Sequence, residues 1–174
     1  CTHVTLLVGI PDPVASAYSW LEPDIAYYQE PVMAYFTGLN QVGVALLFNP
    51  FTKTTTLFLP KDDPNHTFWE GHRFGYHPDT SKDLALYLRV DDIEDIETLY
   101  AYCDRCLCEH KSHDLATLWY EAPSSNTSSA PHIHDMYLTK KEELNTFFSS
   151  QERAITLHNC NTSLTHRLCL DQTD

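Results

Sequence analysis

A chain of 174 residues with 43% hydrophobic and 20% charged side chains holds enough apolar material for one cored domain, which excludes disorder and leaves too little for two comfortable domains. Eleven basic against 24 acidic residues give a formal charge of −13, a surface that repels phosphate and so argues against nucleic acid and anionic membrane as partners. No apolar run approaches the roughly 20 residues that span a bilayer.

The chain opens on Cys1, without an initiator Met, and runs straight into the apolar stretch 4–10, which reads as a fragment or a processed product. Stretch 4–10, ended by Pro11 and Pro13, predicts a buried strand followed by a loop. Residues 14–33, interrupted by Pro23 and Pro31, predict loop with at most a turn of helix. Residues 34–37 predict a short strand stopped by Gly38. Two β-rich runs, 42–48 and 54–59, are separated by the five residues 49–53 and predict an antiparallel hairpin. Stretch 60–78, rich in Pro, Asp, Gly and His, predicts irregular chain.

Residues 84–90 predict a strand. Asp91 and Asp92 then predict the cap of a helix carrying Ile93, Ile96, Leu99, Tyr100 and Cys103 on one stripe, with Glu94 completing a capping box. Residues 116–121 predict a strand and 123–131 a Ser/Asn loop. The capping box Thr139 to Glu142 predicts a helix reaching about Gln151. Residues 154–158 predict a last strand, and a new helix begins at Leu164. Strands alternating with helices after a hairpin imply an α/β domain, a mixed sheet flanked by helices, with no internal repeat.

Chemistry-bearing groups are few. Cys103, Cys106, His110 and His113 fall on one helical stripe, but a rise of about 1.5 Å per residue separates the first and last by ~15 Å, too far to share one zinc. Only a pair such as Cys106 and His110 can coordinate together, and it needs ligands from another segment; the plain alternative is buried cysteines on the core stripe with histidines at a helix end. His132 and His134 share a side if that segment is extended. His72 and His77 lie in the irregular stretch, where a neighbouring subunit is one thing they can face. Trp69, within Trp69-Glu-Gly-His-Arg73, sits in a polar loop, where it either anchors an interface or folds back onto its own domain. Three of the six cysteines cluster on one predicted helix, which suits free thiols better than a secreted disulfide framework, although sequons at Asn65, Asn126 and Asn161 pull the other way. No Gly-x-Ser-x-Gly elbow and no glycine-rich phosphate loop is present. Acidic pairs such as Asp91-Asp92 and Glu142-Glu143 complement helix starts and need no catalytic role.

Three segments carry a resemblance. Gln29-Glu-Pro-Val-Met-Ala-Tyr-Phe-Thr-Gly-Leu39 resembles the "RQDSDFYYLTGF" stretch of aminopeptidase P N-terminal domains. Thr56-Leu-Phe-Leu-Pro-Lys-Asp-Asp-Pro64 followed by Phe68-Trp-Glu-Gly-His-Arg-Phe-Gly75 is similar to "TLFVPPRDP…LWEGRRLG" of the same family. His166-Arg-Leu-Cys-Leu-Asp-Gln-Thr-Asp174 is similar to "LRLIKSPAE", which leads into the catalytic half. Tyr28 replaces the Arg of the first pattern, Glu30-Pro31 its Asp-Ser, and Leu170 the Lys of the last; residues 11–28 look longer than usual.

The resemblance, to the aminopeptidase P, prolidase and creatinase family with the Trp-Glu-Gly-x-Arg variant favouring aminopeptidase P, implies the family's N-terminal fold with its ribonuclease H-like motif over residues 1–174. Residues 162–174 would then be the segment leading to a catalytic domain outside this chain. It implies a Xaa-Pro aminopeptidase whose two divalent metals, manganese usually, are held by that other domain, so this chain has no catalytic residue and no metal of its own. It implies oligomer contacts (a homodimer or higher), a proline-containing peptide as substrate, and a substrate rim formed by Trp69, with Arg73 and His72 beside it and Glu22 where relatives carry an acidic side chain. The compartment expected is cytoplasmic, or mitochondrial if a targeting segment has been removed. Two other classes are carried alongside: a protein-binding module of the same fold, as in catalytically dead histone-chaperone subunits, whose acidic surface suits a basic partner; and a small zinc-binding domain on the Cys/His stripe.

Overall fold

Six strands form one mixed sheet in the computed structural model, which describes residues 3–9, 31–64, 72–111, 114–118, 131–150 and 156–159. In chain order the elements are β1 (Val4–Val8), α1 (Pro31–Thr37), β2 (Ala45–Asn49), β3 (Thr54–Leu59), α2 (Ser81–Leu88), β4 (Asp92–Asp95), a 3₁₀ turn (Ile96–Thr98), α3 (Leu99–Glu109), β5 (Asp114–Leu118), α4 (Pro131–Ser150) and β6 (Thr156–Asn159). The sheet order is β4-β3-β2-β1-β5-β6. The antiparallel strands β1, β2 and β3 occupy its middle, with Leu46 opposite Leu57 in the predicted hairpin. Parallel pairs flank them: β3 with β4 through the α2 crossover, and β5 with β6 through α4. Helices on a sheet of this kind cover both faces, so the central strands are apolar on both sides.

The pleat sorts successive residues to opposite faces. Val4, Leu6, Val8, Ala45, Leu47, Phe58 and Leu115 pack under α3 and α4. Leu7, Leu46, Leu57, Leu59 and Ile93 pack on the other face with Met33 of α1 and Ala85 of α2. Every one of these is buried. At about 25 cal/mol per Å² of apolar surface, this double burial is the main stabilising term.

The α/β expectation and the hairpin hold; several elements differ. Residues 34–37 form the end of helix α1, not a strand. A short apolar run has no decisive period, and the deciding signals are Pro31 at the first helical position and Gly38 just past the end. Gly38 takes φ +68° and its N–H reaches the Ala34 carbonyl at 2.8 Å. Residues 84–88 belong to helix α2 rather than a strand. Its stop is hidden because Arg89, not glycine, adopts the left-handed conformation at φ 58°, with Val90 N–H on the Ala85 carbonyl at 3.1 Å.

Asp91 and Asp92 cap no helix: the strand comes there, as β4, with Ile93 and Asp95 buried in alternation. The working cap is Asp95, whose Oδ1 accepts the Glu97 N–H at 3.0 Å. Thr139 lies inside α4, which starts eight residues earlier at Pro131, so its capping-box pattern opens nothing. That helix also takes in His132 and His134, and the extended geometry that would have placed them on one side is lost. β5 begins two residues before the expected strand, and β6 overlaps the expected 154–158. Residues 11–28, the helix from Leu164 and the segment 162–174 lie outside the described residues.

Candidate functional site

After β3 the chain runs outward along the α1/α2 side, and returns as residues 72–77. The two passes meet at an isolated parallel bridge between Lys61 and Tyr76. Asp62 N–H donates to the Tyr76 carbonyl at 3.1 Å and Tyr76 N–H to the Pro60 carbonyl at 2.7 Å. Gly75 permits this approach: a Cβ there would stand 2.5 Å from Asp62 Cα. Gln41 clamps the returning pass from the other side, its Nε2 donating to the Phe74 carbonyl and its Oε1 accepting the Phe74 N–H, each at 2.9 Å. Nothing in the sequence marks Gln41; a side-chain amide imitating a strand partner has no motif.

Between these passes and α2 lies an open cleft of about 450 Å³. Pro64, Phe74 and Leu84 supply apolar wall, and Asp62, His72, Arg73, His77 and Thr80 supply polar groups. Two of the rim candidates, His72 and Arg73, are thus brought together on one cleft. His72 is exposed and stands edge-on to Phe74 at 5.7 Å between ring centres. Phe74 in turn neighbours the exposed Tyr87 of α2, at 6.1 Å. Trp69 and Glu22 lie outside the described residues, though Pro64 and His72, on either side of the segment carrying Trp69, both line the cleft. His77 Nδ1 accepts the Asp79 N–H at 3.2 Å, which leaves the ring proton on Nε2 in the neutral form.

Below the bridge, Lys61 pairs with Asp95 at 3.4 Å and with Glu97. Hydrogen bonds to Glu97 and then Asp95 hold its ammonium pKa up. The pair ties this pass of the chain to the end of β4. Exposed pairs of this kind contribute little to stability and mainly set position.

The Cys/His stripe resolves into separate roles. Cys103 and Cys106 are buried in the core and Cys108 is exposed, all three as free thiols. Burial drives the Cys103 thiol far above its ordinary range and also raises Cys106, so neither is predisposed to ionise as a ligand must. Cys108 hydrogen-bonds Asp104 one turn back at 3.7 Å. His110 stacks on Phe51 of the hairpin loop at 4.6 Å, and His113 is outside the described residues. Among the described residues, no three His, Cys, Asp or Glu side chains come together as a metal site. Among the described residues, the cleft sets polar groups against an apolar wall.

The fold is shared with known proteins. The family model for the aminopeptidase P N-terminal domain matches residues 14–115, more than half of the chain. A variant of Escherichia coli aminopeptidase P superposes with TM-score 0.53 at 19% identity, over 90% of this chain and 32% of that one. Another variant of the same enzyme, in complex with substrate, gives the same values. A Bacillus anthracis protein assigned as an aminopeptidase P gives TM-score 0.56 at 14% identity, over 91% and 33%. The chain thus spans about a third of the length of these solved structures. Comparison with curated proteins gives no significant match.

Proposed function

We propose, from the premise that this chain belongs to the aminopeptidase P N-terminal domain family, that it is the non-catalytic domain of a Xaa-Pro aminopeptidase and forms part of the rim over which the peptide substrate passes. The observation that carries this reading is the cleft itself. Its polar groups, Asp62, His72, Arg73 and His77, stand against apolar wall and suit an extended peptide, while the segment bearing Trp69 leaves and re-enters the described residues at that cleft.

The bond-breaking chemistry belongs to a second domain. The paired divalent metals of such an enzyme, manganese being the expected ion, are assigned to that second domain. Contacts with that domain and with further copies of the chain have apolar material in Tyr35, Leu86 and Tyr87, all strongly exposed. A reducing, cytoplasmic setting goes with this reading. Among the described residues no helix is long and apolar enough to cross a membrane.

The test uses the full-length parent enzyme. Trp69→Ala and Arg73→Ala are expected to raise KM for Xaa-Pro peptides about five- to tenfold with kcat nearly unchanged, the signature of lost uniform binding. An unchanged KM in both variants would remove the rim role. Salt-sensitive binding of a basic partner such as a histone, by a parent without peptidase activity, would favour the binding-module alternative.

A further inference from the structure

The tip of the β2–β3 hairpin is tied to the end of α3 through a buried asparagine. Asn49, the last residue of β2, is 7% exposed. Its Oδ1 accepts the Phe51 N–H at 3.0 Å and the Thr52 N–H at 3.4 Å, an Asx turn that starts the loop. Both lone pairs of the amide oxygen are thereby used, so the orientation of the amide is settled: Nδ2 points the other way and can only donate. There it meets His110 Nε2 at 3.3 Å. Cys106, one turn earlier on α3, is buried beside this contact, and the Asn49 side chain slightly offsets the rise that burial gives its thiol.

A ring nitrogen facing a donor must accept, which puts the proton of neutral His110 on Nδ1. His110 is the C-cap of α3, its N–H on the Cys106 carbonyl at 3.2 Å. Its ring lies nearly parallel to that of Phe51, 18° between planes.

We infer that Asn49, His110 and Phe51 form a proton-sensitive latch: neutral His110 pins the hairpin tip to α3, and protonation at Nε2 sets donor against donor and loosens the tip. The amide cannot flip to offer its oxygen without abandoning the Phe51 and Thr52 N–H groups of the turn, so either response to protonation releases the tip. Stacking on Phe51 survives protonation and gains cation–π character, which confines the change to the hydrogen bond and keeps it small. Among the described residues, the ionisable groups closest to His110 along the chain are Cys106 and Glu109 on α3 and Lys111 just beyond it, and the loop that carries Phe51 ends at Lys53. Cys106 stays a neutral thiol through this range because burial raises it. Histidine is the side chain whose ordinary charge change falls between pH 5 and 8, which sets the range of the test.

The experiment is nuclear magnetic resonance of the His110 imidazole, with hydrogen exchange of the Phe51 and Thr52 amides, in the full 174-residue chain between pH 8 and pH 5. The expected result is the Nδ1–H tautomer at pH 8 and, after correction for intrinsic exchange rates, about three- to tenfold faster exchange of those amides at pH 5. Asn49→Asp provides the control, because a carboxylate has an oxygen to spare for protonated Nε2–H; in that variant acidification to pH 5 should tighten the tip. An Nε2–H tautomer at pH 8, or the same direction of pH response in both proteins, would overturn the latch.

Discussion

The two faces of the sheet are built from alternate residues of the same strands, yet they are finished differently. Under α3 and α4 the cover is long: 11 and 20 residues of helix, or about 16 and 30 Å. These bring down Leu99, Cys103, Cys106, Leu107, Leu144 and Phe148, all buried. On the opposite face α1 and α2 have only seven and eight residues, each about 11 Å of cover. They seat Met33 and Ala85 but leave Tyr35 83%, Leu86 81% and Tyr87 72% exposed. The cleft opens on this second side. One face thus serves mainly to close the core, and the other gives up closure for irregular chain held by Gln41, Gly75 and the Lys61 bridge.

Substitutions can break or sharpen that contrast. The largest effect is expected at Phe58, fully buried beneath α3 and edge-on to Tyr102 at 5.3 Å. Phe58→Ala should cost about 3–5 kcal/mol in denaturant unfolding, with both faces melting together. Gly75→Ala should cost less, about 1–3 kcal/mol, because the new Cβ meets the Asp62 backbone at 2.5–2.8 Å and the two passes must part. The cleft should deform with it, so the same change in the parent enzyme should raise KM for peptide more than the loss of stability alone explains.

Smaller still is Glu94. Partial burial first, and repulsion from Asp92 second, raise its pKa above the usual 4.5, with Arg105 opposing. A carboxyl raised on folding favours the folded state while protonated, and that contribution is lost as pH rises through its folded value. Glu94→Gln should therefore be neutral below about pH 4 and stabilise by a few tenths of a kcal/mol at pH 7, read as a pH-dependent shift of the unfolding midpoint. Least affected should be Leu86→Ser, which removes an exposed side chain and should change stability by under about 0.5 kcal/mol. A loss beyond 2 kcal/mol would mean that this face is covered within the chain after all.

How far the sequence could be read follows the same division. β1 and the hairpin were legible because residues 4–8, 45–49 and 54–59 are apolar or β-branched and bounded by Pro, Asn and Gly. On the thinly covered face the usual punctuation fails. Arg89 takes the left-handed position that glycine ordinarily marks, so α2 looked like a strand. Asp91 and Asp92 carry the composition of a cap but lead into an edge strand, while the Asp that caps comes four residues after Asp91. Ile93 and Ile96 are spaced as a helix would space them, although one is in β4 and the other in the 3₁₀ turn. Around the cleft, Asp62, His72 and Arg73 lie within the quoted motifs, whereas Gln41 and Thr80 come into place only through the tertiary path of the chain.

The central claim is that this domain positions substrate for chemistry done elsewhere, and the most direct measurement is turnover of a Xaa-Pro peptide by the purified 174-residue chain with manganese supplied, beside the full-length parent. The account predicts cleavage by the parent and none by the chain alone. Sustained cleavage by the chain, persisting after contaminating peptidases are removed and abolished by changing one of its own residues, would contradict it.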